Sequence, residues 1–405
     1  MGGCILCKKS LKEKNSPITN NNGLFSKSTD SLPLEIESEA SKSKSPSISM
    51  EDFQPLKLVG KGAFGKVIIV RYLNNDRIYA MKILKKEEMI NIKQINHAKT
   101  ERLLLEKLNH PFIVKLQFAF QDSKKLYLVT EFLQGGELFF HIKRKTYFKE
   151  STTKFYMAQI FLAIDYLHKN GYIYRDLKPQ NILIDKEGYI KLTDFGLSKI
   201  ISEDININVR NTICGTLDYM APEIINGENY NNSIDWYSFG IVLYNMICGK
   251  SPFQSYNKEN KEYISDYNKE IEYPENISPE AKELISKLIE KEPEKRLGYK
   301  SSDEIKNSDF FKGIDFDKIY NKEYRAPFRP KVSGELDLKY FDISYTEDNN
   351  LYSEDYDENK EIRDKNSYER KNKNQENITS FEGFSFCKED DNKGKNSDDE
   401  DDDEV

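Results

Sequence analysis

Tyr174-Arg175-Asp176-Leu177-Lys178-Pro179-Gln180-Asn181 gathers a carboxylate, two cations and an amide between two strongly apolar segments. Pro179 and Asn181 alone would suit an ordinary surface turn. A second acidic turn, Leu192-Thr193-Asp194-Phe195-Gly196, follows a strand-like run from Tyr189 to Leu192. Together the two turns point to a metal–phosphate site. Asp176 can orient a hydroxyl while Asn181 and Asp194 hold divalent cations through hard oxygen ligands.

The elements that must position these groups begin upstream. Gly60-Lys61-Gly62-Ala63-Phe64-Gly65-Lys66-Val67 lies between two β-rich runs, Pro55–Val59 and Ile68–Val70. Glycines also mark plain hairpins, but a loop flanked by strands exposes backbone amides that can cover phosphates. The turn Asn74-Asn75-Asp76 leads into a third strand, Arg77–Leu84, carrying Tyr79-Ala80-Met81-Lys82. A lysine inside an apolar strand needs a partner, and from there it can reach phosphates. Lys86–Leu108 reads as a helix with Glu101 ahead of Leu103, Leu104, Leu105 and Leu108, which makes Glu101 the expected counter-ion.

Phe112–Gln121 and Lys125–Phe132 read as a strand pair about the turn Asp122-Ser123-Lys124. After Gln134-Gly135-Gly136 the pattern turns helical: Gly136–Lys145, then a long helix with Ser151 as N-cap, apolar at Phe155, Ala158, Leu162 and Tyr166 and ended by Gly171. The loop at Tyr174–Asn181 follows directly, at the joint between two lobes, where ligand clefts are common.

The 405-residue chain, 38% apolar and 12% aromatic, can bury a large core in two lobes with flanking segments. Its cysteines, Cys4, Cys7, Cys214, Cys248 and Cys387, are scattered without metal-ligand spacing, which favours a reducing, intracellular compartment. No apolar run approaches the ~18 residues of a membrane span, and the apolar core of a secretory signal is absent, so a soluble chain is expected unless it is lipidated. The net charge of −7 is local, because residues 387–405 hold ten Asp or Glu against three Lys. A basic nucleic-acid surface is therefore not indicated, and the acidic end reads as a disordered tail. At the other end Gly2, Cys4 and Cys7, followed by Lys8, Lys9, Lys12 and Lys14, fit myristate, palmitate and a basic patch. Leu6 departs from the Ser or Thr which that pattern prefers. Lys8–Ser49 reads as a disordered linker.

In chain order, Gly60–Val67, Lys82, Glu101, Tyr174-Arg175-Asp176, Lys178, Asn181, Asp194-Phe195-Gly196 and Ala221-Pro222-Glu223 resemble the motifs of protein kinases. Lys178-Pro179 looks like the serine/threonine version. Tyr174, the run Thr212-Ile213-Cys214-Gly215-Thr216 and the tail Phe381-Glu382-Gly383-Phe384-Ser385-Phe386 narrow the likeness to the AGC group, most like the protein kinase B and serum-glucocorticoid kinase branch.

This resemblance implies a bilobal α+β fold: a small antiparallel β-sheet lobe with one main helix, and a larger, mainly helical lobe. It implies an N-terminal segment at 1–52, a kinase domain at 53–311, a C-terminal extension with a hydrophobic motif at 312–389 and an acidic tail at 390–405. ATP and Mg²⁺ are the implied cofactors, with Gly60–Val67, Ala80, Lys82, Glu101, Glu131, Leu133, Glu137 and Leu183 around ATP. Asn181 and Asp194 would ligate the metal, Asp176 would orient the substrate hydroxyl, and Lys178 would stabilise the transferred phosphate. Asp235-Trp236 and Gly240 resemble the helix that anchors the catalytic loop, and Arg296 looks like the partner of Glu223. Ala326-Pro327-Phe328 would wrap the lobes, and Phe341-Asp342 would bring an aromatic near adenine.

The likeness also implies a switch worked by an upstream activating kinase. Phosphate on Thr212 would pair with Arg175, Lys199 and His97, and phosphate on Ser385 would seat the flanking phenylalanines in the small lobe. Protein substrates with Ser or Thr acceptors are the implied partners of a monomer in the cytoplasm or, if acylated, at the inner face of the plasma membrane. Leu217-Asp218 departs from the group's Pro-Glu, and no Thr-Pro turn motif stands between Asn349 and Gln375. Gln180 and Asn245 stand where many relatives carry acids, leaving Glu137 to accept a basic residue upstream of the target. The competing expectations are a catalytically weak pseudokinase or scaffold, and a lipid or small-molecule kinase. Lys82, Asp176, Asn181 and Asp194 together oppose the first; Lys178-Pro179 and Thr216 oppose the second. Gly2→Ala is expected to shift a membrane-bound pool into the cytosol on fractionation, and an unchanged distribution rules out myristate-dependent tethering.

Overall fold

The computed structural model describes residues 48–62, 65–89, 92–200, 217–257, 262–265, 269–275, 277–347, 381 and 383–388. All of them belong to one compact unit, 46–405. Gly2, Cys4, Cys7, Ala63, Phe64 and Thr212 lie outside the described residues.

The small lobe follows from period-2 patterning. Its strands are β1 (Phe53–Gly62), β2 (Gly65–Tyr72), β3 (Ile78–Lys85), β4 (Leu116–Gln121) and β5 (Lys125–Glu131), with α1 (Ile92–Lys107) between β3 and β4. On β3, Tyr79, Met81 and Ile83 join an apolar cluster with Phe53, Phe118, Phe120 and Tyr127. Successive strand side chains alternate in direction, so Ala80 and Lys82 face the other way, into the cleft. Helix α1 meets that face with Ala98, Leu104, Leu105 and, just past its end, Leu108, all buried, and Glu101 shares their stripe. The expected helix from Lys86 resolves into a single 3-10 turn at Lys86–Glu88 and then α1.

A 3-10 turn, Met50–Asp52, precedes Phe53. Ser49 and Asp52 form a reciprocal capping box around it. Ile48 and Met50 pack against the aromatic cluster, so Ile48 and Ser49, the last two residues of the expected linker, belong to the folded unit.

The large lobe opens with α2 (Leu138–Lys145) and α3 (Glu150–Lys169), then the short strands β6 (Tyr172–Ile173), β7 (Ile182–Ile184), β8 (Ile190–Leu192) and β9 (Lys199–Ile200). Helix α3 begins one residue before the expected cap Ser151. The amides of Thr152 and Thr153 donate to Lys149 O, and the Glu150 carboxylate is drawn to Ser278 N–H at 2.7 Å, so a tertiary contact sets this terminus. Beyond it come α4 (Pro222–Ile225), α5 (Ser233–Cys248), the hairpin β10 (Gln254–Asn257) and β11 (Glu262–Ser265), α6 (Pro279–Leu288), α7 (Asp303–Lys306) and α8 (Phe316–Tyr320). All but the last residue of α5 are buried, as its apolar composition on every face requires. Arg296 and Glu223 pair in a bidentate bridge of 2.7 and 3.0 Å, with both side chains almost fully enclosed.

The C-terminal extension returns along both lobes. Helix α9 (Ile343–Thr346) lies near β1, and β12 (Phe386–Cys387) pairs antiparallel with the free edge of β4. The sheet order is therefore β1-β2-β3-β5-β4-β12. No helix among the described residues is long and apolar enough to cross a membrane. Neither Cys248 nor Cys387 is joined in a disulfide.

His110, just before the crossing from α1 into β4, is 3% exposed, stacks on Tyr166 at 4.9 Å and accepts Phe112 N–H through Nδ1. Burial, with the nearby Lys191 charge, lowers its pKa to about 4, against weak opposition from Asp165. The imidazole is neutral in the fold and protonated in the unfolded chain between those limits. Its contribution is complete above about pH 6.5 and is lost as the pH falls towards 4, about 3 kcal/mol in all. Denaturant unfolding of His110→Gln from pH 7 to 4.5 should show a shallower decline than wild type, and an identical decline contradicts this assignment.

Candidate active site in the interlobe cleft

Lys82 is the ionic centre of the cleft. Its Nζ donates to Glu101 Oε1 and Oε2 at 2.8 and 2.9 Å and to Asp194 Oδ1 at 3.1 Å. Three elements meet there: β3 supplies the lysine, α1 the enclosed Glu101, and the turn after β8 supplies Asp194. Burial disfavours the ammonium, but Asp194 and Glu101 outweigh it and raise the Lys82 pKa. Burial also pushes Glu101 upward against Lys82, whereas Lys82 holds Asp194 below the usual carboxylate range. Half of the Asp194 side-chain surface remains open to the cleft, so it can take a further ligand.

Asp176 sits opposite, 8% exposed. Lys178 Nζ donates to its carboxylate at 2.8 Å and Asn181 Nδ2 at 2.7 Å. Burial raises the Asp176 pKa, with Lys178 and Asn181 opposing it. The loop owes its shape to Asp235 at the start of α5, whose two oxygens accept Tyr174 N–H and Arg175 N–H at 2.8 Å each. His168 contacts the same carboxylate at 2.8 Å. Drawing two successive amides onto one carboxylate accompanies a left-handed backbone at Arg175, φ 67°. Asp194 shares that conformation at φ 60°. Non-glycine residues hold it at a cost of about 1–3 kcal/mol each, a strain common at functional sites. Tyr174 is fully buried against Phe195, its hydroxyl donating to Thr193 O. Arg175 donates to Leu197 O and to Tyr230 OH.

Above these groups β1 and β2 pair from Phe53↔Tyr72 to Gly62↔Gly65, closing the hairpin that carries the glycine loop. A Cβ on Gly65 would stand 1.9 Å from Ile83 O, so only glycine lets β2 lie this close to β3. Ala80 pairs with Thr130 beside the hinge, Leu133 is buried, and Leu183 forms a bridge with the exposed Glu137. The extension borders the same hinge. Gln134 Nε2 donates to Gly334 O at 2.7 Å, and the Phe341 ring lies 5.7 Å from that of Phe132. Gly136, at φ 69°, would direct a Cβ to within 2.3 Å of Tyr340 O. Ala326 is buried and Phe328 packs on His141 at 4.8 Å, which holds this stretch against α2.

Phe381 and Phe384, each 3% exposed, enter the core between α1 and the small-lobe sheet. Gln121 Nε2 donates to Phe381 O at 2.7 Å, and Arg102 donates to Ser385 O at 3.3 Å. Ser385 itself is exposed.

Two further residues join this neighbourhood without any motif to announce them. Lys191 on β8 donates to Glu131 Oε1 at 2.7 Å, and Lys115 N–H donates to the same oxygen at 2.8 Å. A polar residue within an apolar strand, the signal that marks Lys82, is the one clue to Lys191 in the sequence.

A family model described as a protein kinase domain matches residues 53–311. The chain is 46% identical over 302 residues to protein kinase 2 of Dictyostelium discoideum, covering 75% of this chain and 62% of that protein. It is 42% identical over 325 residues to the RAC-beta serine/threonine-protein kinase of Homo sapiens, covering 79% and 66%. It is 41% identical over 308 residues to a RAC family serine/threonine-protein kinase homolog of Dictyostelium discoideum, covering 75% and 68%. The chain spans about two thirds of the length of these curated relatives.

Proposed function

We propose, from the premise that this chain belongs to the protein kinase family and to its RAC-like branch, that it transfers the γ-phosphate of ATP to serine and threonine hydroxyls of protein substrates. One observation carries the reading: Lys82, held by Glu101 and Asp194, shares a cleft with Asp176, held by Lys178 and Asn181. Phosphoryl transfer asks a protein mainly to position groups and neutralise charge, and these five ionic groups and one amide are arranged for that.

Lys82 binds the α- and β-phosphates, fixed in advance by its carboxylates so that little reorganisation is left for the reaction. Asp176 accepts the hydrogen bond of the acceptor hydroxyl and turns the oxygen towards the γ-phosphorus. Lys178, on the same carboxylate, offsets charge on the group in transfer. Asn181 and the open oxygens of Asp194 fit Mg²⁺, which favours one or two protein oxygens completed by nucleotide phosphates. No cluster of three His, Cys, Asp or Glu among the described residues offers an all-protein cage instead. When bound, Mg²⁺ supplies neutralisation of phosphate charge. Gly60–Val67 covers the phosphates, and Ala80, Glu131, Leu133 and Leu183 enclose the adenine, with the backbone of the hinge as its polar edge. Glu137, exposed at the rim, accepts a basic residue of the substrate.

Regulation belongs to the same proposal. Phosphate on Thr212 pairs with Arg175, and phosphate on the exposed Ser385 stands beside Arg102, strengthening the seat of Phe381 and Phe384. An upstream kinase supplies both phosphates. Acylation at Gly2, Cys4 and Cys7 holds a cytoplasmic monomer to the inner face of the plasma membrane. A scaffold without catalysis has no observation in its favour. Asp176→Asn, which keeps side-chain size and removes the charge, should lower kcat by at least about 100-fold with ATP affinity little changed. Thr212→Ala should lower turnover as well. Wild-type turnover in purified Asp176→Asn protein contradicts the proposal.

A further inference from the structure

The cleft is closed at the back by two crossings of the chain between the lobes: residues 112–115 leading into β4, and residues 131–136 leading out of β5. Both are stitched to the β7–β8 hairpin of the large lobe. On its β8 edge, Leu192 N–H donates to Phe112 O at 2.9 Å and Val114 N–H donates to Leu192 O at 3.0 Å. On its β7 edge, Gly135 N–H donates to Ile184 O and Ile184 N–H to Gly136 O, each at 2.9 Å. The crossings are joined to each other at Glu131, whose Oε1 takes both Lys115 N–H and Lys191 Nζ.

Lys191 lies between Ile190 and Leu192 with its side chain 7% exposed, an expensive place for an ammonium. Phosphate chemistry does not call for it, since Lys82 and Lys178 face the cleft. Stability alone does not call for it either, because apolar residues of similar volume often replace a buried ion pair at no loss. What the pair does supply is direction. It ties the first residue of the hinge to a strand of the large lobe, and through Lys115 it ties the second crossing to the same point.

We infer that the Lys191–Glu131 pair is a hinge latch that sets the angle between the lobes, making Lys191 a positioning residue for nucleotide binding. This inference rests on the proposed phosphotransfer. In the latched geometry Lys82 of the small lobe reaches Asp194 of the large lobe at 3.1 Å. Phosphates held jointly by Lys82 and Asp194 depend on that reach. A looser hinge spreads it over a range of distances and weakens the nucleotide's grip without altering the groups that face the acceptor hydroxyl.

The experiment uses the full chain with Lys191→Met, Glu131→Gln, the pair combined, and Lys191→Arg. Glu131→Gln keeps an acceptor for Lys115 N–H while removing the charge. Steady-state kinetics and equilibrium binding of a fluorescent ATP analogue are measured on each. ATP KM and the analogue Kd should rise about three- to tenfold in Lys191→Met. KM for the peptide should stay the same, and Lys191→Arg should recover most of the loss. The combined variant should be no worse than the worse single one, as expected for residues that act on each other. Unchanged analogue Kd in Lys191→Met, even with a lowered Tm, overturns the latch and leaves a merely structural pair. Faster turnover overturns it too, since the pair would then restrain closure. If wild type transfers no phosphate, the functional reading fails, and the analogue Kd still decides the latch.

Discussion

Two carboxylates on one part-buried ammonium is the constraint on which this molecule depends. Lys82 carries one positive charge, and Glu101 and Asp194 together carry two negative ones. The surplus falls on the more exposed partner, Asp194, where a cation and phosphates can meet it. Each member comes from a different element, so the cluster exists only while β3, α1 and the turn after β8 keep their places. Burial works against Lys82 and Glu101 separately and is offset by their pairing. Removing Lys82 therefore leaves the enclosed Glu101 without compensation and Asp194 without its cation.

The surrounding architecture serves that requirement by fixing backbone first. Asp235, rooted in the buried helix α5, holds the two amides that turn the Asp176 loop. The β7–β8 hairpin grips both crossings between the lobes. The C-terminal extension then reinforces from outside: Tyr340 and Phe341 beside the hinge, Phe381 and Phe384 behind α1, and β12 on the sheet edge. Covering the β4 edge also removes a row of unpaired backbone groups that would otherwise invite another chain.

Much of the site is legible in the sequence because its chemistry violates local expectation. A lysine in an apolar strand and an acid on an apolar helix stripe each demand a partner, and Lys82 and Glu101 are the simplest answer. Arg296 and Glu223 pair as their likeness to the family implies. What stays hidden is set by tertiary contact. The start of α3 is shifted from Ser151 because Glu150 is recruited by Ser278 across the lobe. Order at Ile48–Asp52 comes from a sheet face that needs covering. A two-residue strand such as β12 is too short for any period to show. Lys191 obeys the same rule as Lys82, yet its partner Glu131 stands at a strand end, where a carboxylate violates no local pattern.

The proposed reaction moves a phosphoryl group from ATP to an alcohol of a protein. Purified protein incubated with Mg²⁺ and γ-labelled ATP on a positionally randomised Ser/Thr peptide library, followed by phosphoamino-acid analysis, tests it most directly. Label recovered as phosphoserine and phosphothreonine, dependent on both Mg²⁺ and time, is the predicted result. No label above the enzyme-free background, from protein phosphorylated at Thr212 and shown to bind ATP, would contradict it.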